Sequence, residues 1–274
     1  MTGDGNSSGT ILAVDVGNSR IKFGLFDSRA LAAVRPSLAE CRRVLAVPHG
    51  DPIPWEKLAA WFSGPGEGPS QGFVAGVKPE GIERVLGEWP AGSWPRPRVI
   101  RRARELPLEV RVDVPDGVGI DRLLNAVATN AIRSPGVPAI IVDSGTATTV
   151  DLVAADGAFE GGAILPGVGL CSRSLHQYTA LLPLIPIEEL AVPTLSALGK
   201  NTPAAIRSGL LFGQIGAVKE LVAQLSTGIA GTPLVVVTGG NGPLLAPHLG
   251  SRARGERDLP LRGLALVAKH AGQQ

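Results

Sequence analysis

Cysteine and long apolar runs are scarce in this chain, and both absences narrow its class. The 274 residues include only two cysteines, Cys41 and Cys171, which are too few and too isolated for a disulfide framework or a zinc site. Apolar residues make up 44% of the chain, yet no run of them approaches the length of a membrane span. We therefore expect a cytoplasmic protein with no membrane partner.

Excess charge and aromatic side chains are scarce too, which argues against a nucleic-acid partner. The formal net charge is +2, and aromatic residues account for 4% of the chain. One arginine cluster lacks interleaved aromatic residues that could stack on bases, and it consists of Arg98, Arg101, Arg102 and Arg104. We interpret this cluster as a solvated face and expect no nucleic acid among the partners.

A duplicated pattern is the most informative feature that the chain does have. An apolar run ends in Asp15-Val-Gly17 near the start and in Asp143-Ser-Gly145 near the middle, and small polar residues and a second apolar run follow each. Each copy predicts a strand, a tight turn and a strand. Glycine at positive φ would let the backbone turn and approach an anion, to which amides and small polar side chains donate hydrogen bonds. Because carboxylates repel phosphate, each aspartate needs an intervening cation, so the pattern predicts a metal-nucleotide site.

The repetition also predicts the domain organisation. One Asp-x-Gly turn is typical of ordinary hairpins. Two in the same setting favour an α/β fold of two similar ribonuclease H-like domains, as in the superfamily of actin, sugar kinases and Hsp70. Each domain would be a mixed sheet flanked by helices, with an ATP cleft between the domains. We expect a disordered tail at residues 1–10, an N-terminal domain at 11–134 and a C-terminal domain at 135–274.

Helical spacing and glycine pairs predict the elements around these turns. Residues 121–132 and 203–225 have the spacing of helices, and Thr202 is a suitable N-cap for the second. Gly239-Gly240 follows a buried strand and is a third candidate for a nucleotide-binding turn, while a turn at Gly161-Gly162 has less support. The histidines lack a recognisable carboxylate or nucleophile partner at local spacing, which favours surface or structural roles for His49, His176, His248 and His270.

Six motifs, in order along the chain, resemble those of type III pantothenate kinases. They are Asp15-Val-Gly17-Asn18-Ser19, Gly119-Ile-Asp121-Arg122, Asp143-Ser-Gly145-Thr146-Ala147-Thr148-Thr149, Gly161-Gly162-Ala-Ile-Leu-Pro166-Gly167, Asn201-Thr202 and Thr238-Gly239-Gly240. The third motif is a specific string. The second, at the expected distance before it, is an element that other kinases of the superfamily lack.

This resemblance implies an enzyme that uses ATP to phosphorylate the primary hydroxyl of pantothenate to 4'-phosphopantothenate, the first step of coenzyme A biosynthesis. It also implies a divalent cation such as Mg²⁺, a monovalent cation, K⁺ or NH₄⁺, and a homodimer whose interface comes from the second domain. Asp15 would bind the divalent cation through water, and Asp143 the monovalent cation. The implied ATP-binding residues are Asp15, Val16, Gly17, Asn18, Ser19, Arg20, Ile21, Lys22 and Thr146, with Gly239 and Gly240 on the adenosine side. The implied pantothenate-binding residues are Gly119, Ile120, Asp121, Arg122 and Thr202.

Asp121 and Arg122 can perform the chemistry that the resemblance implies. An alcohol that attacks a γ-phosphoryl group needs a carboxylate to receive its proton, and Asp121 is the family's proton acceptor. The guanidinium of Arg122 suits the carboxylate of the substrate. The alternative is that Asp121 only starts a helix and Arg122 points into water. For Thr202, capping and ligand contact are compatible.

Two departures from the family pattern concern the substrate pocket and the first turn. Many relatives carry tyrosine about nine residues before the aspartate, where this chain has Val112. An apolar wall could replace the tyrosine, and the change affects fine substrate contacts rather than the reaction type. Ser19 stands in place of the commoner threonine and keeps the hydroxyl.

Two other functions fit parts of the pattern. Another kinase of the superfamily would share the ATP-binding turns and act on a different acceptor, but the Gly-x-Asp-Arg motif argues against it. A non-catalytic regulator could bind ATP and lack the catalytic base. Against a regulator stand the intact site residues Asp15, Asp121, Asp143 and Thr146.

Overall fold

The computed structural model describes residues 9–28, 38, 40–62, 67–191 and 195–271. The chain forms two compact units, the first made of Met1–Ser134 and Leu259–Gln274 and the second of Pro135–Asp258. Residues 1–8 of the expected tail lie outside the described residues. Thr10 is not part of a tail, because it begins the first strand and pairs with Asp27.

The first unit contains a five-stranded mixed sheet. Its elements are β1 (Thr10–Val16), β2 (Arg20–Asp27), β3 (Arg43–Pro48), α1 (Trp55–Ala59), β4 (Gln71–Gly76), α2 (Pro79–Gly87), β5 (Arg98–Ile100), α3 (Ile120–Ile132) and α7 (Leu259–Ala271). The strand order is β3-β2-β1-β4-β5. β2 runs antiparallel to β1 and β3, while β4 runs parallel to β1 and β5. The central strand β1 is therefore paired on both edges, and its continuous apolar run is buried on both faces.

Aromatic side chains fill one side of this sheet. Trp55 of α1 packs edge-on against Phe23 of β2, Trp89 and Trp94, with ring centroids 5.7 to 5.9 Å apart. Edge-to-face geometry is favourable for aromatic quadrupoles. Trp89 and Trp94 are also edge-on to each other. The cluster holds α1 and the end of α2 to the strands next to the first Asp-x-Gly turn.

Helix α7 packs in the first unit, although the sequence analysis assigns it to the C-terminal domain. It lies against α3 and β1, and Leu261 and Leu264 are fully buried. At the crossing with α3 a Cβ on Gly263 would lie 2.1 Å from the carbonyl oxygen of Leu124, so the two backbones approach as only glycine permits. The assignment from sequence followed chain continuity, whereas burial of the apolar face of α7 decides its position.

The second unit repeats the topology of the first. Its elements are β6 (Ala139–Ser144), β7 (Ala147–Val153), β8 (Phe159–Pro166), α4 (Val168–Gln177), α5 (Thr202–Ser226), β9 (Leu234–Thr238), α6 (Gly242–Leu245) and β10 (Ala253–Gly255). The sheet order is β8-β7-β6-β9-β10, read from the antiparallel edge. β7 is antiparallel to β6 and β8, while β9 is parallel to β6 and β10. The expected pair of similar ribonuclease H-like domains with mixed sheets and flanking helices is confirmed.

Gly161-Gly162 does not form a turn, contrary to the sequence analysis. Both residues lie inside β8, where the pairing with β7 is irregular and Gly161 has φ 101°. A Cβ on Gly162 would lie 2.2 Å from the carbonyl oxygen of Val150. The glycines therefore allow a strand irregularity with close approach to β7.

Helix α5 forms where helical spacing predicts it, but its cap is different. The side chain of Asn201, not Thr202, accepts the N–H of Ala204 at 2.9 Å, and Thr202 is the first helical residue. Asn201 has the extended backbone of an N-cap, and asparagine is preferred over threonine there, with proline in the first turn. Although α5 has 25 residues, nothing in the described part of the chain is both long and apolar enough to cross a membrane as a helix.

Candidate active site

The first Asp-x-Gly turn joins β1 to β2. The N–H of Gly17 donates to the carbonyl of Arg20 at 3.1 Å and closes the turn. Asp15 is only 7% exposed and lies in register with Lys22 of β2. Asn18 and Ser19 are exposed at the tip. The backbone of the turn is thus presented to solvent, while the carboxylate two residues earlier is held in the sheet.

The second Asp-x-Gly turn joins β6 to β7 in the same way. Gly145 N–H donates to the carbonyl of Ala147 at 2.9 Å. The hydroxyls of Ser144 and Thr148 are 3.2 Å apart across the turn, and both side chains are fully buried. Thr146 is exposed at the tip. This polar pair ties the two strands together directly behind the tip.

Glycine has a different role in these turns from the one expected. Within the described residues, neither Gly17 nor Gly145 is among the glycines with positive φ. A Cβ would lie 3.4 Å from the nearest atom at Gly17 and 3.7 Å at Gly145, which is ordinary contact. The tight hydrogen bonds to the next strand close the turns without left-handed backbone. What the absent side chain provides is open space in front of the backbone.

The third candidate turn lies against the second one. Gly239 has φ 88°, and its missing Cβ would lie 2.4 Å from the carbonyl oxygen of Ser144 and 2.5 Å from Oδ1 of Asp143. Asn241 donates its backbone N–H to the carbonyl of Ser144 at 2.8 Å. The structure therefore brings the Gly239-Gly240 turn and the Asp143 turn together within the second unit.

Asp121 lies at the start of α3, in the first unit. Its Oδ1 accepts the N–H of Arg122 at 2.9 Å, and a Cβ on Gly119 would lie 2.6 Å from the same oxygen. Burial raises the pKa of Asp121, while the hydrogen bond and the charge of Arg122 act in the opposite direction. A raised pKa makes the carboxylate a better proton acceptor. The helix-start geometry and a catalytic role are both consistent with this position.

Val77 links the Asp121 segment to the first turn. The position of a Cβ on Gly119 lies 3.6 Å from the side chain of Val77, which follows β4. Val77 donates its N–H to the carbonyl of Val16 at 3.0 Å. The predicted substrate segment and the predicted ATP turn are thus neighbours within the first unit.

Thr202 lies in a broad apolar groove of the second unit. The groove has a volume of about 1040 Å³ and is lined by α4, by α5 and by the segment that holds Lys200, Asn201 and Thr202. Thr202 is exposed, and Asn201 supplies the cap of α5. The Thr202 hydroxyl is therefore not needed as the helix cap.

Two residues that the sequence analysis does not assign to the site contact the turns. His49 reaches the carbonyl of Gly17 from 32 residues away, with Nε2 at 2.8 Å, and Asn241 Nδ2 reaches the carbonyl of Gly145 at 3.2 Å. The sequence analysis assigns His49 a surface or structural role and does not single out Asn241. Its position directly after Gly239-Gly240 was a usable signal for Asn241, but no local pattern marks His49.

The oxygen atoms around these turns are suited to hard cations. The described residues contain no cluster of three or more histidine, cysteine and carboxylate side chains that could hold a metal by themselves. A single carboxylate such as Asp15 fits a Mg²⁺ ion that keeps several waters and also binds substrate phosphates. Asp143 Oδ1 and the carbonyl of Ser144 converge beside Gly239, and both are oxygen ligands.

The two mixed sheets, each with an Asp-x-Gly turn after its central strand, have the actin-like, ribonuclease H-like fold. The activator of the 2-hydroxyisocaproyl-CoA dehydratase from Clostridium difficile has a similar fold, with a TM-score of 0.54, 12% identity and 96% of both chains covered. The model of the family "Type III pantothenate kinase" matches residues 11–224. The chain belongs to the type III pantothenate kinase family.

Curated relatives resemble the chain over nearly its full length. The type III pantothenate kinase of Caulobacter vibrioides is 33% identical over 261 residues, which cover 93% of this chain and 95% of the relative. That of Moorella thermoacetica is 34% identical over 265 residues, which cover 94% and 98%. The predicted family is confirmed, and it is a family of kinases.

Proposed function

We propose that this chain transfers the γ-phosphoryl group of ATP to the primary hydroxyl of pantothenate and so forms 4'-phosphopantothenate, the first step of coenzyme A biosynthesis. The observation that carries this proposal is the family match over residues 11–224, which includes both Asp-x-Gly turns and the Asp121 motif. A kinase of this family and fold uses ATP as phosphoryl donor together with a divalent cation.

The two turns and the Gly239-Gly240 turn provide the proposed ATP-binding residues. Exposed backbone at the tips, with no side chain at Gly17 or Gly145, supports close approach of phosphate oxygens. The remaining members of the set are Asp15, Val16, Asn18, Ser19, Arg20, Ile21, Lys22 and Thr146. A divalent cation, when bound, neutralises phosphate charge. Asp15 is the proposed carboxylate for it, through water.

Asp121 is the proposed general base. Its pKa is raised by burial, which suits a group that takes the proton of the attacking hydroxyl. Arg122 is the proposed partner of the pantothenate carboxylate, and Gly119 and Ile120 complete this segment. Gly119 lies next to Val77, whose N–H bonds to the carbonyl of Val16, and this proximity supports a common site for the alcohol and the phosphates.

The proposed monovalent cation is K⁺ or NH₄⁺, bound at Asp143. Its support is that two oxygens, Asp143 Oδ1 and the Ser144 carbonyl, lie close together where Gly239 packs against the turn. Carbonyl oxygens coordinate K⁺, and carboxylate and carbonyl oxygens can accept hydrogen bonds from NH₄⁺.

A homodimer through the second unit is the proposed assembly, and the cytoplasm is the proposed location. Large apolar side chains are exposed on this unit, and Leu181 and Tyr178 are 90% and 79% exposed. Beside them is the groove that Thr202 lines, where the buried Nε2 of Gln214 has no hydrogen-bond partner within the described residues. A second copy would cover this surface, and Thr202 would then contact pantothenate in its own or the partner's pocket.

A steady-state assay with ATP, Mg²⁺ and pantothenate tests the proposal. We expect 4'-phosphopantothenate by mass spectrometry and a clear rise in kcat/KM when K⁺ replaces Na⁺. Turnover of a different alcohol from a panel, with none of pantothenate, would assign another acceptor. Tight ATP binding without turnover on any alcohol would instead indicate a regulator.

A further inference from the structure

His49 and Asn241 each hold the carbonyl of a turn glycine from outside the turn. His49 Nε2 lies 2.8 Å from the oxygen of Gly17, and Asn241 Nδ2 donates to the oxygen of Gly145 at 3.2 Å. A carbonyl oxygen can only accept, so His49 Nε2 carries the hydrogen and donates it. The N–H of each glycine is already bonded inside its own turn. Both polar backbone groups of each glycine are therefore fixed.

Fixing a carbonyl also fixes the amide on the other side of the same peptide plane. In a planar trans peptide the C=O of one residue and the N–H of the next point in opposite directions. The bond to Gly17 therefore orients the N–H of Asn18, and the bond to Gly145 orients the N–H of Thr146. Both amides belong to exposed residues at the turn tips. Without the bonds, the peptide after a glycine would sample more orientations, because glycine restricts its backbone least.

We infer that His49 and Asn241 are positioning residues that preorganise one backbone amide in each turn for a phosphate oxygen of ATP. This inference rests on the proposed ATP-binding role of the two turns. Preorganised donors bind more tightly because they do not have to be ordered on binding. The two residues act through the turn backbone, and neither needs to touch the nucleotide.

The surroundings of His49 are built to hold its ring in place. Arg84 of α2 donates to the carbonyls of His49 and Asp51 at 2.7 and 2.8 Å, which holds the backbone at and directly after His49. Arg84 also pairs with Glu88, and this hydrogen bond lowers the pKa of Glu88. A Cβ on Gly81 would lie 2.8 Å from the ring carbon Cε1 of His49. The ring is thus packed on α2 with Nε2 directed at Gly17.

Asn241 is held equally well in the second unit. Its backbone N–H bonds to Ser144, so the residue is bound to the same turn by main chain and side chain. The left-handed backbone of Gly239 brings the segment this close. Asn241 is therefore fixed before its side chain reaches Gly145.

A matched pair of His49 variants tests the first bond by isothermal titration with a non-hydrolysable ATP analogue. His49→Phe keeps a ring but loses the donor, and we expect its Kd for the analogue to rise about 3- to 10-fold, the effect of one net hydrogen bond. His49→Gln keeps an Nε2 donor, and we expect its Kd to stay within about 2-fold of the wild type. Trp89→Phe is the control, because it removes a side-chain donor from the carbonyl of Pro95 in the same unit. Its Kd should not change.

Asn241→Leu and Asn241→Asp test the second bond. Both should raise the Kd for the ATP analogue by a factor similar to that of His49→Phe. The effect of Asn241→Asp should be the larger of the two, because its carboxylate repels the carbonyl. In turnover assays the KM for ATP should rise in the donor-free variants while the KM for pantothenate stays the same. If His49→Leu is needed because His49→Phe does not fold, it should behave as the phenylalanine variant.

Three results would overturn the inference. The first is an unchanged Kd in folded His49→Phe or His49→Leu together with Asn241→Leu. The second is an equal loss of affinity in His49→Phe and His49→Gln, which would make ring packing the cause. The third is an equal rise in both KM values. Because the titration needs no pantothenate, failure of the wild type to phosphorylate pantothenate would count against the proposed function and leave this test intact.

Discussion

The two Asp-x-Gly turns have the same place in the same topology, yet they are supported differently. In the first unit, the residue after β3 supplies a side chain, His49, to the glycine carbonyl. In the second unit the corresponding strand is β8, and the residue after it, Gly167, donates a backbone N–H to the carbonyl of Thr146 at 3.0 Å. The side-chain donor there comes from Asn241, after β9. Topology therefore specifies the turn, while local sequence specifies what restrains it.

The two turns are alike in how closely the neighbouring backbone approaches. Gly167 and Gly239 both press on the second turn, and a Cβ on Gly167 would lie 2.3 Å from the carbonyl oxygen of Gly145. Beside the first turn, a Cβ on Gly76 would lie 2.3 Å from the carbonyl oxygen of Val16, which also accepts the N–H of Val77. Packed main chain therefore lies against both turns, and they differ in the side chain that holds the glycine carbonyl.

The largest effect should come from replacing Asp121, which lies outside both turns. Its replacement distinguishes an effect on the chemical step from an effect on nucleotide binding. Asp121→Asn removes the proton acceptor, and we expect kcat to fall about 10²- to 10⁴-fold with little change in the Kd for an ATP analogue. Initial-rate assays measure kcat, and isothermal titration measures the Kd for the ATP analogue. An Asp121→Asn enzyme with near wild-type kcat would remove the general base from the proposal.

The pH dependence of Asp121 gives an independent check. Since burial raises its pKa, kcat/KM of the wild type should fall as pH drops through that raised pKa. The same shift favours the protonated acid in the folded protein, so its contribution to stability is present at low pH and is lost as pH rises through the folded pKa. Asp121→Asn should therefore melt at a higher temperature than the wild type at neutral pH. Equal melting temperatures at neutral pH would contradict the raised pKa.

Replacement of Gly239, which packs against the second turn, should be more destabilising than replacement of Gly17 in the first turn. Gly239→Ala puts a side chain at φ 88° and against two oxygens, and we expect a loss of about 2 to 5 kcal/mol in the free energy of unfolding. Gly17→Ala should cost less than about 1 kcal/mol, because its Cβ meets ordinary contacts, and yet weaken ATP binding. Chemical denaturation measures the free energy of unfolding of both variants, and isothermal titration measures their affinity for an ATP analogue. Equal destabilisation would contradict the left-handed backbone and close packing of Gly239.

The smallest effect concerns the start of α5. Asn201→Ala removes the helix cap and should cost about 1 kcal/mol of stability, while Asn201→Ser should retain most of it. Thr202→Val should leave stability unchanged and raise the KM for pantothenate. Denaturation curves and initial rates measure these changes. A stability loss in Thr202→Val equal to that of Asn201→Ala would return the cap to Thr202.

Local sequence patterns predicted most of the fold and part of the site. Strand-turn-strand units at Asp15 and Asp143 and the helix that follows Gly119 could be predicted, because apolar periodicity and turn residues act locally. The family and its kinase activity followed from motif order. Positive φ at Gly17 was wrong, because hydrogen bonding to the next strand closes the turn without it. His49 and helix α7 could not be placed, since their positions depend on contacts between residues far apart in sequence.

Helix α7 has a consequence for how the polypeptide matures during synthesis. Every residue of the second unit leaves the ribosome before Leu259, whereas the first unit lacks the helix that covers α3 and β1 until Leu259–Ala271 emerges. The unit begun first is therefore completed last. A chain stopped shortly before α7 would leave the apolar surface of β1 and α3 exposed, and we expect it to be recognised by chaperones and proteases through that surface rather than through the finished second unit.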